Sequence, residues 1–281
     1  MKQTTLYVSD MDGTLLGADS QVSEHSRNII SDLSEQGALI TVATARTPAT
    51  VKPLLQGTLT LPPAIVMTGA ALWNRRSDTY ADVRFMPPCD VDEALRACAA
   101  CDIHPFVYTL HPEGILEVYH DGTQLNRAEQ NFYDQRRHLS LKRFHLRRTL
   151  PEEARCRTVL LCALGRIAHT DEAASSIRTM TECAVHSYPD AIIPEIGILE
   201  IFAPGVSKAD AIKRVASSLG ASRIVAFGDN LNDLPMFAMA DVAVAVGNAL
   251  PEVREAADTV IGPNTSDSVA RFIREDFLAQ A

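Results

Sequence analysis

The chain has 281 residues, of which 46% are hydrophobic and 22% charged, and its formal net charge at pH 7 is -9. This composition is typical of a globular protein with one large or two modest domains. The acidic balance argues against a nucleic-acid-binding or membrane-binding surface, since both need cationic side chains. The first residues do not resemble a secretory signal and no apolar stretch could span a bilayer, so we expect a cytoplasmic protein.

Short apolar runs alternate with helical patterns at the start of the chain. A β-rich run at 4–9 precedes a helical pattern that begins after Ser23 and that Gly37 is expected to end. The almost wholly apolar run 38–46 predicts a second strand, and 64–67 predicts a third. Strands that are apolar on both faces and alternate with helices are typical of a parallel sheet covered on both sides.

The middle of the chain differs in composition, because all six cysteines and six of the eight histidines lie between positions 89 and 183. Asp90 and Glu93 have the spacing of a capping box that would open a helix, and two β patterns within 104–120 predict a hairpin. A further strand and helix follow. We therefore predict an inserted α+β domain at 81–187, with the host domain formed by 1–80 and 188–281.

The last part of the chain returns to the alternating pattern. A helix capped by Ser207 and closed by Gly220 precedes short apolar strands at 223–229, 241–246 and 258–262. The predicted fold class is therefore α/β, with a doubly wound, Rossmann-like parallel-sheet core domain and an inserted α+β cap domain. In such sheets, ligands bind beyond the carboxyl ends of the strands.

Polar side chains follow three of the predicted strands, and a lysine opens the helix before the strand at 223–229. Because the carboxyl ends of parallel strands meet at one edge of a sheet, we expect these side chains to converge. The set comprises Asp10, Asp12, Thr44, Arg46, Lys208, Asp229, Asn232 and Asp233.

Several carboxylates around one point require a cation, and oxygen ligands favour a hard ion such as Mg²⁺. One aspartate can then attack a phosphoryl group as nucleophile, while the other protonates the leaving oxygen and later activates water. Lysine, threonine and asparagine side chains can hold the remaining phosphoryl oxygens. The pattern therefore predicts phosphoryl-transfer chemistry.

Four segments resemble the motifs of the haloacid dehalogenase superfamily. They are "DMDGTLL" at 10–16, "ATAR" at 43–46, "VSKADAI" at 206–212 and "FGDNLNDLPMF" at 227–237. About 30 residues separate Asp12 from Thr44, which leaves no room for a cap domain there. The much longer gap from Thr44 to Lys208 is similar to the arrangement in Cof-type members, which carry a class IIB cap.

The resemblance implies a role for each of these residues. Asp10 would be the nucleophile and Asp12 the general acid and base. Phosphate would be held by Thr44, Lys208 and Asn232, with Arg46 approaching the substrate. Mg²⁺ would be bound by Asp10, the backbone carbonyl of Asp12, and Asp229, with Asp233 as an outer support.

The chain departs from the usual family pattern at four positions. Ala45, Ala209 and Ser268 stand where relatives usually have glycine, and Thr68 stands where they usually have asparagine. None of these changes removes a charged catalytic group, so we expect activity to survive. They affect the local backbone near Thr44 and Thr68, and with it the substrate preference.

The predicted function is that of a Mg²⁺-dependent phosphatase acting on a small phosphorylated metabolite through an aspartyl-phosphate. A sugar phosphate, a nucleotide or a phosphorylated cofactor would each fit. A phosphomutase, or a non-catalytic ligand-binding or regulatory protein on the same fold, remains an alternative. The pattern indicates neither the physiological substrate nor the oligomeric state.

Overall fold

The structure is a computed structural model that describes residues 4–190 and 193–280. The strands in these residues are β1 (Thr5–Ser9), β2 (Leu39–Val42), β3 (Ala64–Val66), β4 (Ala71–Asn74), β5 (Thr79–Val83), β6 (Phe106–Leu110), β7 (Leu116–His120), β8 (Lys142–Leu146), β9 (Thr158–Arg166), β10 (Ala184–Pro189), β11 (Ile196–Phe202), β12 (Arg223–Gly228), β13 (Val242–Ala245) and β14 (Thr259–Val260). The α-helices are α1 (Glu24–Glu35), α2 (Pro48–Leu54), α3 (Pro88–Ala100), α4 (Arg127–Arg136), α5 (Ile167–Met180), α6 (Lys208–Leu219), α7 (Leu234–Phe237), α8 (Pro251–Glu255) and α9 (Ser268–Ala279).

The chain divides into two compact units. The first contains the segments up to Asp82 and from Ser207 onward, and the second contains Val83–Val206. The first unit is built on a five-stranded sheet with the order β14-β13-β12-β1-β2. Every neighbouring pair in this sheet is parallel. The α/β doubly wound core predicted from the alternating pattern is therefore confirmed.

The inner strand β1, which lies between β12 and β2, explains why the sheet forms at this place in the chain. All five of its residues are buried, and Leu6, Tyr7 and Val8 have no exposed surface. Fully burying a side chain such as Leu6 or Val8 contributes roughly 1.5–3 kcal/mol, and a strand that is covered on both faces can bury apolar side chains on both of them. The sheet interior is therefore the core of the first unit.

The third predicted strand, β3, does not join the parallel sheet as expected. It pairs antiparallel with β4 in a separate three-stranded sheet with the order β3-β4-β5. A single parallel bridge, between Ala43 directly after β2 and Ile65, links β3 to the parallel sheet. A run of three apolar residues is too short to reveal its pairing partner, because parallel and antiparallel strands can have the same apolar pattern.

Local capping signals set the ends of two helices as predicted. The side chain of Ser23 accepts a hydrogen bond from the backbone of Ser26 at the start of α1, and that of Ser207 accepts one from Asp210 at the start of α6. Gly220 ends α6 with a left-handed φ of 63°, a conformation that glycine adopts without steric cost. These caps satisfy backbone groups that the helix itself cannot pair.

The second unit is an α+β structure around a six-stranded sheet with the order β10-β11-β9-β6-β7-β8. The predicted hairpin is present as the antiparallel pair β6 and β7, and β8 adds to β7 in parallel. The predicted capping box at Asp90 is wrong. Helix α3 begins two residues earlier, after Pro87, and has no side-chain cap. A proline in the first turn already sets a helical φ, so the helix can begin there.

The second unit ends later than predicted. The predicted boundary at 187 lies within β10, and the unit continues to Val206. The reason is strand pairing, because β11 lies between β10 and β9 and pairs antiparallel with both. Composition could not show this, since the cysteine-rich and histidine-rich stretch ends before β11. No helix among the described residues has the length and apolar character needed to cross a membrane.

Candidate active site

Two neighbouring parallel strands end at the same edge of the first unit's sheet. In the register of β1 and β12, Ser9 lies beside Phe227, and the backbone N–H of Asp10 donates to the carbonyl of Phe227 at 2.9 Å. Asp10 therefore leaves β1 where Asp229 leaves β12. The residues that follow these strands form the site.

A buried lysine joins two aspartates at this edge. The Nζ atom of Lys208, the first residue of α6, donates to Asp10 Oδ1 at 2.5 Å and to Asp233 Oδ1 at 2.7 Å. Lys208 is 3% exposed and Asp233 0% exposed. Burial alone would lower the pKa of Lys208, but the two carboxylates outweigh it and raise that pKa, so the ammonium form is held.

The third carboxylate of the site is that of Asp229. Thr14 Oγ1 donates a hydrogen bond of 2.7 Å to Asp229 Oδ1. One oxygen each of Asp10, Asp229 and Asp233 lie within 4.8 Å of one another. Burial raises the pKa of both Asp10 and Asp229, and their mutual repulsion with Asp233 adds to the rise.

This charge arrangement fits a divalent cation. Three carboxylates face a single ammonium group, so the pocket carries an excess of negative charge that burial makes costly. The donors are all oxygen atoms, which suits a hard ion such as Mg²⁺ better than a softer transition metal. A positive ion would relieve the repulsion that raises the pKa of Asp10.

Asp233 has both of its oxygens engaged within the protein. While Oδ1 accepts from Lys208, Oδ2 accepts from the backbone N–H groups of Asp229 at 3.0 Å and Asn230 at 3.1 Å. Asp10 is different, because its Oδ2 has no hydrogen-bond partner among the described residues. The arrangement therefore leaves an oxygen of Asp10 free, whereas Asp233 holds Lys208 and the turn after β12 in place.

Two glycines allow these carboxylates to approach the backbone. Gly13 has φ +78°, and a Cβ atom there would overlap the carboxylate of Asp229, lying 2.9 Å from its Cγ. A Cβ atom on Gly228 would lie 2.6 Å from the Cβ of Asp233. Both distances are below any normal contact, so only glycine fits at these positions.

Asp12 is not part of this buried cluster. Its side chain is 53% exposed and forms a bidentate ion pair with Arg46, in which Nε lies 2.7 Å from Oδ2 and Nη2 lies 2.6 Å from Oδ1. The hydrogen bond to Asp12 also raises the pKa of Arg46. Such fork-shaped pairing fixes the orientation of both planar groups.

Neither Thr44 nor Asn232 is hydrogen-bonded to the cluster among the described residues. Thr44 is buried and its Oγ1 accepts from the backbone N–H of Arg46 at 3.2 Å. Asn232 lies exposed in the turn that precedes α7. Among the described residues, no side-chain hydrogen bond joins either of them to Asp10, Asp229 or Lys208.

Sequence reasoning missed the residues that hold the loop after β1. Thr14 binds Asp229, as described above, and Asn248 Nδ2 donates to the carbonyl of Gly13 at 2.8 Å. Asn264 donates through its backbone to Asn248 Oδ1 at 2.9 Å and through Nδ2 to the carbonyl of Leu16 at 2.7 Å. Asparagines that follow β13 and β14 were a usable signal, because they too lie at the carboxyl ends of strands.

Thr68 has an unusual backbone conformation. It follows β3 with φ +56°, and Met67 before it has φ +50°. The Oγ1 atom of Thr68 is buried, and it has no hydrogen-bond partner in the part of the chain that the structure describes. A β-branched residue is strained in this left-handed region, which asparagine tolerates better. The departure noted in the sequence at Thr68 therefore has a local cost.

Comparison with known proteins supports the resemblance read from the motifs. The family model described as haloacid dehalogenase-like hydrolase matches residues 7–273. The chain is 27% identical to the 5-amino-6-(5-phospho-D-ribitylamino)uracil phosphatase YitU of Bacillus subtilis, with 97% of each chain covered. It is 26% identical to the pyridoxal phosphate phosphatase YbhA of Escherichia coli, with 96% of this chain and 97% of that protein covered.

Solved structures show the same fold. A haloacid dehalogenase-like hydrolase from Bacteroides thetaiotaomicron matches with a TM-score of 0.75 at 22% identity, covering 98% of this chain and 100% of that one. The subclass IIB sugar phosphatase BT4131 matches with a TM-score of 0.73 at 21% identity, with the same coverage. Because the family model spans nearly the whole sequence and the fold agrees, this chain belongs to the haloacid dehalogenase-like hydrolases.

Proposed function

We propose that this protein is a Mg²⁺-dependent phosphatase that hydrolyses a small phosphorylated metabolite through an aspartyl-phosphate. The observation that carries the proposal is the contact of Lys208 with both Asp10 and Asp233, with an oxygen of Asp229 within 4.8 Å of theirs. Two relatives that match over nearly their full length are named as phosphatases of phosphorylated metabolites.

The residues divide into three functional groups in this proposal. Asp10, Asp229 and the backbone carbonyl of Asp12 would hold the ion, which would supply charge neutralisation for the phosphoryl oxygens. Asp233 has a structural role, since one of its oxygens accepts a hydrogen bond from Lys208 and the other accepts from the backbone. Lys208, Thr44 and Asn232 would bind the phosphoryl group once it enters.

The chemistry takes two steps on these side chains. The free oxygen of Asp10 attacks phosphorus, forming an O–P bond as the bond to the leaving oxygen breaks, and Asp12 gives a proton to that oxygen. In the second step Asp12 takes a proton from water, the water oxygen attacks phosphorus as the bond between the Asp10 oxygen and phosphorus breaks, and inorganic phosphate leaves. Asp10 is then restored as a carboxylate.

Arg46 has a defined part in this scheme. In the structure it holds both oxygens of Asp12, so the carboxylate of Asp12 is oriented before a substrate arrives. When the guanidinium of Arg46 turns to the anionic substrate, Asp12 is released and takes up from solvent the proton that it then gives to the leaving oxygen. Arg46 is therefore a positioning residue for Asp12.

Phosphate release from a panel of phosphomonoesters tests the proposal. The panel includes sugar phosphates, nucleotides, flavin mononucleotide and pyridoxal phosphate, each with Mg²⁺ and with EDTA. We expect Mg²⁺-dependent release that Asp10→Asn abolishes, while Asp32→Asn on the exposed face of α1 leaves it unchanged. A folded Asp10→Asn protein with normal turnover, or turnover in EDTA, would refute the assigned roles.

A further inference from the structure

The second unit contains one lysine among many arginines. Within 83–206 the sequence has twelve arginines and a single lysine, Lys142. Where a segment needs only a positive charge, either residue serves, so this bias marks Lys142 as an exception. Lysine differs from arginine chiefly in that its amine can lose a proton at accessible pH and then act as a nucleophile.

Lys142 is buried on an aromatic face of the second unit's sheet. It is 8% exposed, and its Nζ lies 5.0 Å from the ring centroid of Tyr108 and 5.8 Å from that of Phe144. Strand register explains the contact, because Phe144 and Tyr108 both lie beside Val118 on the intervening strand β7. Residues two apart, such as Lys142 and Phe144, share a face.

No charge of opposite sign compensates this amine. Among the described residues, no carboxylate lies within ion-pairing distance of Lys142. Burial, and to a smaller extent the guanidinium of Arg136 on α4, lower its pKa to about 7. Burial also raises the pKa of Cys162, which faces the same group, to about 12, so no thiolate is present to balance it. The aromatic rings attract an ammonium ion but do not replace its lost hydration.

The other buried lysine shows the opposite environment. Lys208 is paired with two carboxylates, which raise its pKa and keep it protonated. Lys52 and Lys213 are exposed, and Lys52 pairs with Asp78. The four described lysines therefore form a comparison within one molecule, in which Lys142 is the one that is both buried and unpaired.

We propose that Lys142 is a carbonyl-binding amine, which forms an imine with a small aldehyde in the apolar environment of Tyr108 and Phe144. The neutral amine adds to the carbonyl carbon, a C–N bond forms, and the carbonyl oxygen leaves as water with the two amine protons. No oxidant or reductant is consumed. This inference does not depend on the proposed phosphatase activity.

Site-resolved trapping on the intact protein tests it. The protein is incubated at pH 7 with either pyridoxal or glyceraldehyde, an aromatic and an aliphatic aldehyde without phosphate, together with sodium cyanoborohydride. This reductant converts an imine to a stable secondary amine, and peptide mass spectrometry measures labelling at each lysine. An amine with a pKa near 7 is about half unprotonated at this pH, whereas an ordinary lysine is unprotonated to roughly one part in 10³.

We expect Lys142 to be labelled at least about tenfold faster than Lys213 by one of the two aldehydes. This ratio is smaller than the difference in the unprotonated fraction of the two amines, because lower basicity and restricted access slow the reaction of Lys142. In 8 M urea the labelling rates of Lys142 and Lys213 should become equal, because unfolding removes the apolar surroundings of Lys142. Lys142→Met should remove the fast label, and Lys213→Met should leave it.

Labelling of Lys142 no faster than that of Lys213 by both aldehydes in the folded protein would overturn the proposal. This result needs no variant, so it holds even if Lys142→Met fails to fold. Because phosphate release is not part of the assay, a negative outcome here leaves the phosphatase proposal untouched. Conversely, an inactive phosphatase would not affect the labelling.

Discussion

The close approach of Gly13 to Asp229 allows a quantitative test of how the site is built. Gly13→Ala places a Cβ atom where φ is +78° and where the carboxylate of Asp229 already lies. Gly220→Ala is the matched control, because Gly220 also has a left-handed φ, of 63°, but has no atom within 4 Å of such a Cβ. Both substitutions place an alanine in the left-handed region, but only Gly13→Ala displaces a residue of the site.

The expected losses of folding stability in the two variants differ enough to be measured. An alanine in the left-handed region costs about 1–2 kcal/mol, offset in part by the lower entropy of the unfolded chain, so Gly220→Ala should destabilise by about 1 kcal/mol. Gly13→Ala should also lose the hydrogen bond from Thr14 to the charged Asp229, worth about 1.5–3 kcal/mol. Its total is therefore about 2.5–4 kcal/mol.

Urea unfolding in EDTA measures the stability of both variants, and a Mg²⁺ titration of phosphate release measures the effect on the proposed ion site. Displacing Asp229 should raise the half-activating Mg²⁺ concentration by about 10–100-fold, the usual effect of disturbing the surroundings of a metal site. Gly220→Ala should leave it unchanged. If the two variants have equal stability and equal Mg²⁺ requirement, our account of Gly13 is wrong.

Three further outcomes follow from the contacts of single residues. Arg46→Gln should lower kcat more than Arg46→Lys, because only the lysine variant keeps a charge beside Asp12; equal kcat values and pH profiles would contradict the positioning role. Burial alone would raise the pKa of Asp276, but its hydrogen bonds, with that from Arg223 the strongest, lower it. The ionised carboxylate of Asp276 therefore stabilises the fold above about pH 4, and this stabilisation is lost as the pH falls through the lowered pKa. When the unfolding midpoint is measured against pH, Asp276→Asn should therefore show a smaller decrease at acidic pH. Thr68→Asn should stabilise the fold by about 0.5–1 kcal/mol in urea unfolding, since φ +56° suits asparagine; a destabilised variant would show that the strain is not relieved.

The convergence of Asp10 and Asp229 was predictable from the alternation of strands and helices along the chain. Asp10 and Asp229 follow strands that are adjacent and parallel, so both had to lie at one edge of the sheet. The pairing of Asp12 with Arg46 was not predictable in the same way. It depends on the side-chain directions of two exposed residues in irregular loops, for which sequence carries no periodic signal.

The sequence by itself determined the class of fold and the identity of the acidic cluster. Apolar strands alternating with helices can be buried only in a covered parallel sheet, and local caps such as Ser207 and Gly220 act over a few residues. The tertiary structure alone decided the end of the second unit, where β11 pairs between β9 and β10. It alone decided that Lys208 is paired with carboxylates while Lys142 is buried against aromatic rings with no carboxylate partner among the described residues. Strand partners and burial arise from contacts between residues distant in the chain, which no local pattern encodes.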